Sequence, residues 1–227
     1  MKKIKAITLV FLLALFGSSQ SLAEYGVTVG ITGSMAMIDA SGTETEGGET
    51  NSKDVDNMAV IPSVFVEYGI TDRITLGVDY IPITADVSDK THSRTDTETS
   101  VSGTTTTTST SRTQTADAEL EDHISVYADV MVGDDVFLKV GAVQVDLNTM
   151  ESLGTGSKYA NETVDGYLLG IGFKSDSAFG KFMKWELIHT DYDTVNISSS
   201  VARTDVTTNN KISADLDTTA LKVSFAF

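Results

Sequence analysis

From Tyr25 onward the chain breaks into short blocks in which apolar residues recur at every second position, the period of a strand with one apolar face. Tyr25, Val27, Val29 and Ile31 alternate with Gly26, Thr28, Gly30 and Thr32. Pro62, Val64, Val66 and Tyr68 alternate with Ser63, Phe65, Glu67 and Gly69, and Ile74, Leu76, Val78 and Tyr80 with Thr75, Gly77 and Asp79. Ile124 to Val132, Val136 to Ala142, Tyr167 to Lys174 and Met183 to Leu187 continue the pattern, which ends on Thr219, Leu221, Val223, Phe225 and Phe227. The pattern predicts eight strands and an all-β domain.

The connections sort by length. Short ones fall at 71–73, 133–135 and 175–181; long ones fall at 40–58, 86–117, 148–164 and 199–212. Strict alternation of short and long is what a closed up-and-down antiparallel barrel in a membrane shows, with tight turns on one side and long loops on the other. An even strand count places both termini with the short turns, on the periplasmic side. The stretch Thr95 to Thr115 is nearly all Thr and Ser and reads as a mobile solvated loop. The alternative is a strand extension above the membrane, since Thr favours β structure.

The N-terminus changes the picture. Lys2, Lys3 and Lys5 precede an apolar run of about ten residues, Ile7 to Phe16, and Ser21-Leu22-Ala23 offers small residues at a cleavage point. The run is well short of the roughly 20 residues a spanning helix needs. Residues 1–23 therefore read as a cleaved secretory signal and 24–227 as one barrel domain. Net charge is −16, and about −19 once the three leader lysines are removed. That excludes attraction to nucleic acid by bulk charge. With no Cys, an exported chain must hold together by hydrogen bonds and packing. The mean hydropathy near zero is uninformative, because alternation cancels in the average.

Lipid outside or water outside would give the same alternation, and the polar face discriminates. It carries Glu67, Asp79, Asp129 and Glu186 against Lys139, Lys174, Lys184 and Lys222, with Gly30, Gly77, Gly141, Gly170 and Gly172 between them. Balanced charges among glycines fit a narrow lumen filled by interdigitating side chains. The uniformly apolar opposite face fits lipid, and Tyr25, Tyr68, Phe173, Trp185, Phe225 and Phe227 lie near the short turns as an aromatic girdle would.

On Tyr68-Gly-Ile-Thr-Asp-Arg-Ile74, on Trp185 with Thr190-Asp-Tyr-Asp193, and on Leu221-Lys-Val-Ser-Phe-Ala-Phe227, the chain resembles the small eight-stranded outer-membrane barrels of the OmpA transmembrane-domain and Opacity-type superfamily. The resemblance implies a Gram-negative outer membrane, with its lipid and lipopolysaccharide, as the setting. It also implies that Phe225 and Phe227 form the signal read by the barrel-assembly machinery. No peptidoglycan-binding domain is expected after Phe227.

Candidate chemistry is sparse. His123-Ile-Ser125 has the spacing seen in lipid A deacylase barrels, where Ser is the nucleophile and His its base. Both side chains fall on the expected lumen face, however, and no Asn-Ala follows the Ser, so two polar lumen residues are the better reading. Glu44, Glu46, Glu49, Asp54 and Asp56, and then Asp117, Glu119, Glu121 and Asp122, crowd two loops without EF-hand spacing. They read as solvated charge. The sequons at Asn161 and Asn196 read as chance. No cofactor or metal is expected. The function expected is structural or surface-presenting and not enzymatic, with a narrow pore as the alternative and a lipid-modifying enzyme third. The loops name no partner.

Overall fold

The computed structural model describes residues 26–46, 49–101, 107–152, 158–200 and 209–227; the predicted leader and Tyr25 lie outside them. The strands are β1 (Val27–Glu46), β2 (Glu49–Thr71), β3 (Ile74–Tyr80), β4 (Ala85–Asp86), β5 (His92–Val101), β6 (Thr107–Met131), β7 (Val136–Ser152), β8 (Glu162–Asp176), β9 (Phe182–Tyr192), β10 (Val195–Ser198) and β11 (Lys211–Ala226). Eight of them form an antiparallel ring, β1-β2-β3-β6-β7-β8-β9-β11, which closes when β11 pairs with β1 from Gly30↔Ala226 to Thr45↔Lys211. Each of the eight predicted segments falls on one ring strand. Closure matters because a strand edge left in lipid would strand its N–H and C=O groups.

The strands run well past their predicted ends. Positions 40–46 and 49–58 are paired strand and not loop, with β1 and β2 in register from Val27↔Tyr68 to Glu46↔Glu49. The described part of the Thr/Ser stretch is paired strand as well: β5 pairs with β6 from His92↔Ala116 to Val101↔Thr107. β7 continues to Ser152, and β10 adds four residues beside β11. The physical reason is shared. Above the membrane both faces of a strand can be polar, so alternation fades, yet the backbone groups still need partners and β-branched Thr suits the pleat.

The lower half of the barrel is inside-out relative to a soluble protein. Outward residues such as Ile31 (53% exposed) and Leu169 (62%) are bare, while Glu67 (3%) and Lys184 (2%) are buried inside. Higher up, this polarity reverses. On β1 the inward face changes from Thr28, Thr32 and Ser34 to Ala36 and Ile38, while the outward face changes from Met35 and Met37 to Asp39 and Ser41. On β9 the inward face changes from Lys184 and Glu186 to Ile188, and the outward face from Leu187 to His189 and Asp191. The inversion marks where the outer solvent changes from lipid to water. From Val27 to Met37, a rise of about 3.3 Å per residue at a tilt of about 40° spans roughly 25 Å, the height of an outer-membrane apolar band. Outward Phe173, Trp185 and Phe227 ring the lower boundary. Tyr80 and Tyr167, which the sequence reading did not single out as girdle residues, stand at the upper one, their hydroxyls donating to Asp122 and Asp191.

Candidate functional site

Two regions of the lumen are distinct. The lower one is a plug of charge. Lys184 from β9 reaches across to Glu67 on β2 and lies 2.9 Å from Asp129 Oδ2 on β6. Lys139 on β7 bridges Glu186 Oε1 at 2.7 Å and Asp129 Oδ1 at 3.4 Å. The Tyr127 hydroxyl donates to Glu67 at 2.9 Å. Asp79 accepts a hydrogen bond from Ser63 at 2.8 Å, and Lys222 Nζ lies 3.7 Å from its other oxygen. Strand tilt brings these groups together from six ring strands, and apart from the cross-strand pair Asp129 and Lys139 the contacts join residues distant in sequence.

Aromatic rings pack the same layer. Lys139 Nζ sits 3.4 Å from the centroid of the Tyr127 ring, and Lys184 Nζ lies 5.3 Å from those of Phe65 and Phe137. Tyr127 and Phe137 each lie flat against a cross-strand glycine, Gly77 and Gly172, where a Cβ would enter the ring. These are close approaches that no other residue permits. The void left in the plug is about 10 Å³, about the room one water needs.

Seven of the eight charged residues singled out in the sequence meet in this network. Lys174 does not: its ammonium lies 3.8 Å from the centroid of the Phe182 ring. Among the described residues no carboxylate stands within ion-pair distance of it. Phe225 points outward beside Ile31, and Phe227 is half exposed, its N–H donating to Val29 O at 2.8 Å.

The upper region is apolar, where a polar lumen was expected. Ala36, Ile38, Ile61, Val145, Leu168 and Ile188 line a chamber of about 60 Å³, four to six times the space of one water. Its floor is polar: Ser34, His123 and Lys222. Ser125 lines it as well, and among the described residues no hydrogen bond joins Ser125 to His123. The wall here has a seam. β3 stops at Tyr80, whose partner is Val64, so the edge of β2 above that point has no ladder partner among the described residues. The chain leaving β3 instead follows β6, with Ile81 N donating to His123 O and Ala85 pairing with Leu120. Both prolines of the sequence flank the seam, Pro62 on β2 and Pro82 just after β3, and neither can donate to a ladder. Asn57 Nδ2 to Asp86 O, 2.8 Å, bridges it higher up. Apolar Ala and Ile at these inward positions were the available signal for the chamber.

The acidic residues at the far end are not uniformly solvated. Glu44 accepts from Arg94 Nη1 at 3.1 Å, Tyr159 hydroxyl at 2.8 Å and Asn210 Nδ2 at 3.4 Å. One carboxylate thus ties β1 to β5 and to the segments preceding β8 and β11. Among the described residues no three His, Asp or Glu side chains converge as a metal site.

No protein-family model matches the chain, and no curated protein matches it significantly. Solved structures match it by fold. The outer membrane protein OprG from Pseudomonas aeruginosa superposes with a TM-score of 0.50 and 11% identity over 89% of this chain and 96% of its own. The outer membrane protein AlkL, determined in DMPC lipid bilayers, gives 0.48 and 10% over 89% and 90%. Neisserial surface protein A gives 0.34 and 11% over 86% and 96%. At such identities the likeness is one of fold alone. That fold is the small outer-membrane β-barrel, and it agrees with the inverted polarity of the lower half.

Proposed function

We propose that the protein is an integral barrel of a Gram-negative outer membrane, shut along its axis, with a structural and surface-presenting role and no catalysis of its own. Its termini and short turns face the periplasm, and its hairpin extensions stand above the lipopolysaccharide leaflet. The barrel-assembly machinery recognises the closing strand at Phe225 and Phe227. The observation that carries this reading is the plug. An ion moving along the axis would have to separate Lys184 from Glu67 and Asp129 inside a ring that leaves room for about one water. That argues against the narrow pore. Planar-bilayer recording of the refolded protein tests it: no steady conductance is expected, and stable open levels from the unmodified chain would overturn the reading.

A second reading is favoured by the seam. The apolar chamber lies beside an unladdered stretch of wall near the upper lipid boundary. A small apolar molecule could pass there between the outside and the bilayer without meeting the plug. Release of such a molecule into protein-containing vesicles, faster than into protein-free ones, would support it; equal rates would remove it.

A further inference from the structure

Methionine is not spread evenly over this barrel. Of the seven methionines in the chain, three meet on the outer face of one strand pair. Met37 on β1 stands directly opposite Met58 on β2, and Met35 lies two residues below Met37 on the same face. All three are exposed, Met58 the most at 65%. Side chains directly opposed on one face have Cβ atoms about 4.5–5.5 Å apart, within reach for two thioethers. Elsewhere the lipid face is built from side chains that oxidants leave alone, such as Val29, Ile31, Leu169, Ile171 and Leu187. The height of the patch matters as much as its composition. Met37 and Met58 are the last apolar outward residues of their strands, and the next outward pair is Asp39 opposite Asp56. An oxidant arriving through the water outside therefore meets thioether sulfur at the crossover from water to lipid.

We propose that Met35, Met37 and Met58 are a site of oxidative modification by peroxide, and that their oxidation state sets how deeply the β1–β2 wall is immersed in the bilayer. A sulfur lone pair takes one oxygen from hydrogen peroxide, the O–O bond breaks, and the other oxygen leaves as water with both protons. Sulfur is oxidised by two electrons to the sulfoxide, and the peroxide is reduced by two. The sulfoxide oxygen is a polar acceptor that hydrocarbon cannot satisfy, so the oxidised patch belongs with Asp39 and Asp56 in the water above. Met37 and Met58 react first because they stand at the crossover. Met35 becomes reachable only after they have turned polar and the water boundary has moved down. From position 37 to position 33 the strand covers about 10 Å of height, at 3.3 Å per residue and a tilt of about 40°, a large retreat against an apolar band of roughly 25 Å. The inference rests on the bilayer placement of the lower barrel.

The test uses the refolded full-length mature chain in zwitterionic nanodiscs, treated with hydrogen peroxide and sampled over time by peptide mass spectrometry. Met150, exposed on β7 above the membrane, is the internal reference. Met37 and Met58 should oxidise within about threefold of its rate, while Met35 lags and then accelerates. In the double variant Met37→Leu with Met58→Leu, Met35 should stay about tenfold slower than Met150 or more. A maleimide spin label at Gly33→Cys reports the boundary; position 33 faces outward, and an added Cβ there meets nothing within 4 Å. The label should lie in lipid before treatment and gain access to a water-soluble nickel relaxant after it. With Met35, Met37 and Met58 all replaced by Leu it should show no gain. Aqueous access before any treatment would refute the bilayer placement, and the proposal with it. Oxidation of Met37 and Met58 at about a tenth of the Met150 rate or less would overturn the modification site alone. Full oxidation with an unmoved label would overturn the effect on immersion. The parent methionines and the Gly33→Cys label give these readings even if the leucine variants fail to fold.

Discussion

Replacing Lys184 by Met should destabilise the barrel more than any other single change to the plug. Lys184 is 2% exposed and is the partner of two buried carboxylates, Glu67 and Asp129. Removing one member of a buried pair costs about 3–5 kcal/mol, because the survivor keeps its charge and loses its counterion. Two opposing effects fix the position in that range. Glu67 keeps its hydrogen bond from Tyr127 and Asp129 keeps Lys139 at 3.4 Å, which limits the loss. The Met side chain also fills the space against Phe65 and Phe137 with apolar contact. An outcome of about 3 kcal/mol follows. With a urea dependence of about 1–3 kcal/mol per molar, the unfolding midpoint should fall by about 1–3 M. The double variant Lys184→Met with Glu67→Gln should regain part of this, since it removes one of the stranded charges, and the recovery measures their coupling. Tryptophan fluorescence is a convenient probe because Trp185 is the single Trp and sits on the lipid face. A Lys184→Met unfolding free energy within about 0.5 kcal/mol of the parent would refute the claim that the plug is held by paired charge.

Further predictions follow from the same geometry. Lys222→Met should cost clearly less than Lys184→Met in the same titration, because the Lys222 side chain is 17% exposed and its ion pair is long. Gly172→Ala should destabilise by about 1–3 kcal/mol, since a Cβ there enters the Phe137 ring and the layer has no slack; a neutral result would mean the ring is free to move. Deleting Phe227 should lower the folded fraction recovered in the outer membrane, and unchanged yield would remove the assigned role of the terminal aromatic. Trypsin added to intact cells should cleave at Arg94 slowly in the parent and faster in Glu44→Ala, which removes one of that arginine's partners; equal rates would show that Glu44 does not hold the hairpins together.

How much of this was legible in the sequence depends on height in the barrel. Within the membrane, lipid forces strict alternation, so segments such as Val136–Ala142 and Thr219–Phe227 announced both their strand and its inward face. Above it that constraint is gone. The Thr-rich β5–β6 hairpin is polar on both sides, so no period betrays it, and its order comes from cross-strand partners that a linear reading cannot see. The chamber was hidden for a related reason. Ile38 and Ile188 break the local rule that the inward face is polar, and they make sense only once the outward neighbours Asp39 and His189 are read as facing water. Facing charges such as Asp129 and Lys139 could be named from alternation. Their partner choice could not, because register and tilt decide that Lys184 meets Glu67 and that Lys174 instead lies over Phe182.

The inversion of polarity along each strand is the most direct handle on the central claim, that the lower barrel lies in a bilayer and the upper barrel in water. Because the chain has no Cys, single cysteines at outward positions 31, 35, 37, 39 and 41 of β1 can carry spin labels without background. Collision with oxygen against a water-soluble nickel relaxant should show labels at 31 and 35 buried in lipid, a crossover at 37, and full aqueous access at 39 and 41. Uniform aqueous access along the strand, or lipid burial continuing through 39 and 41, would contradict the account.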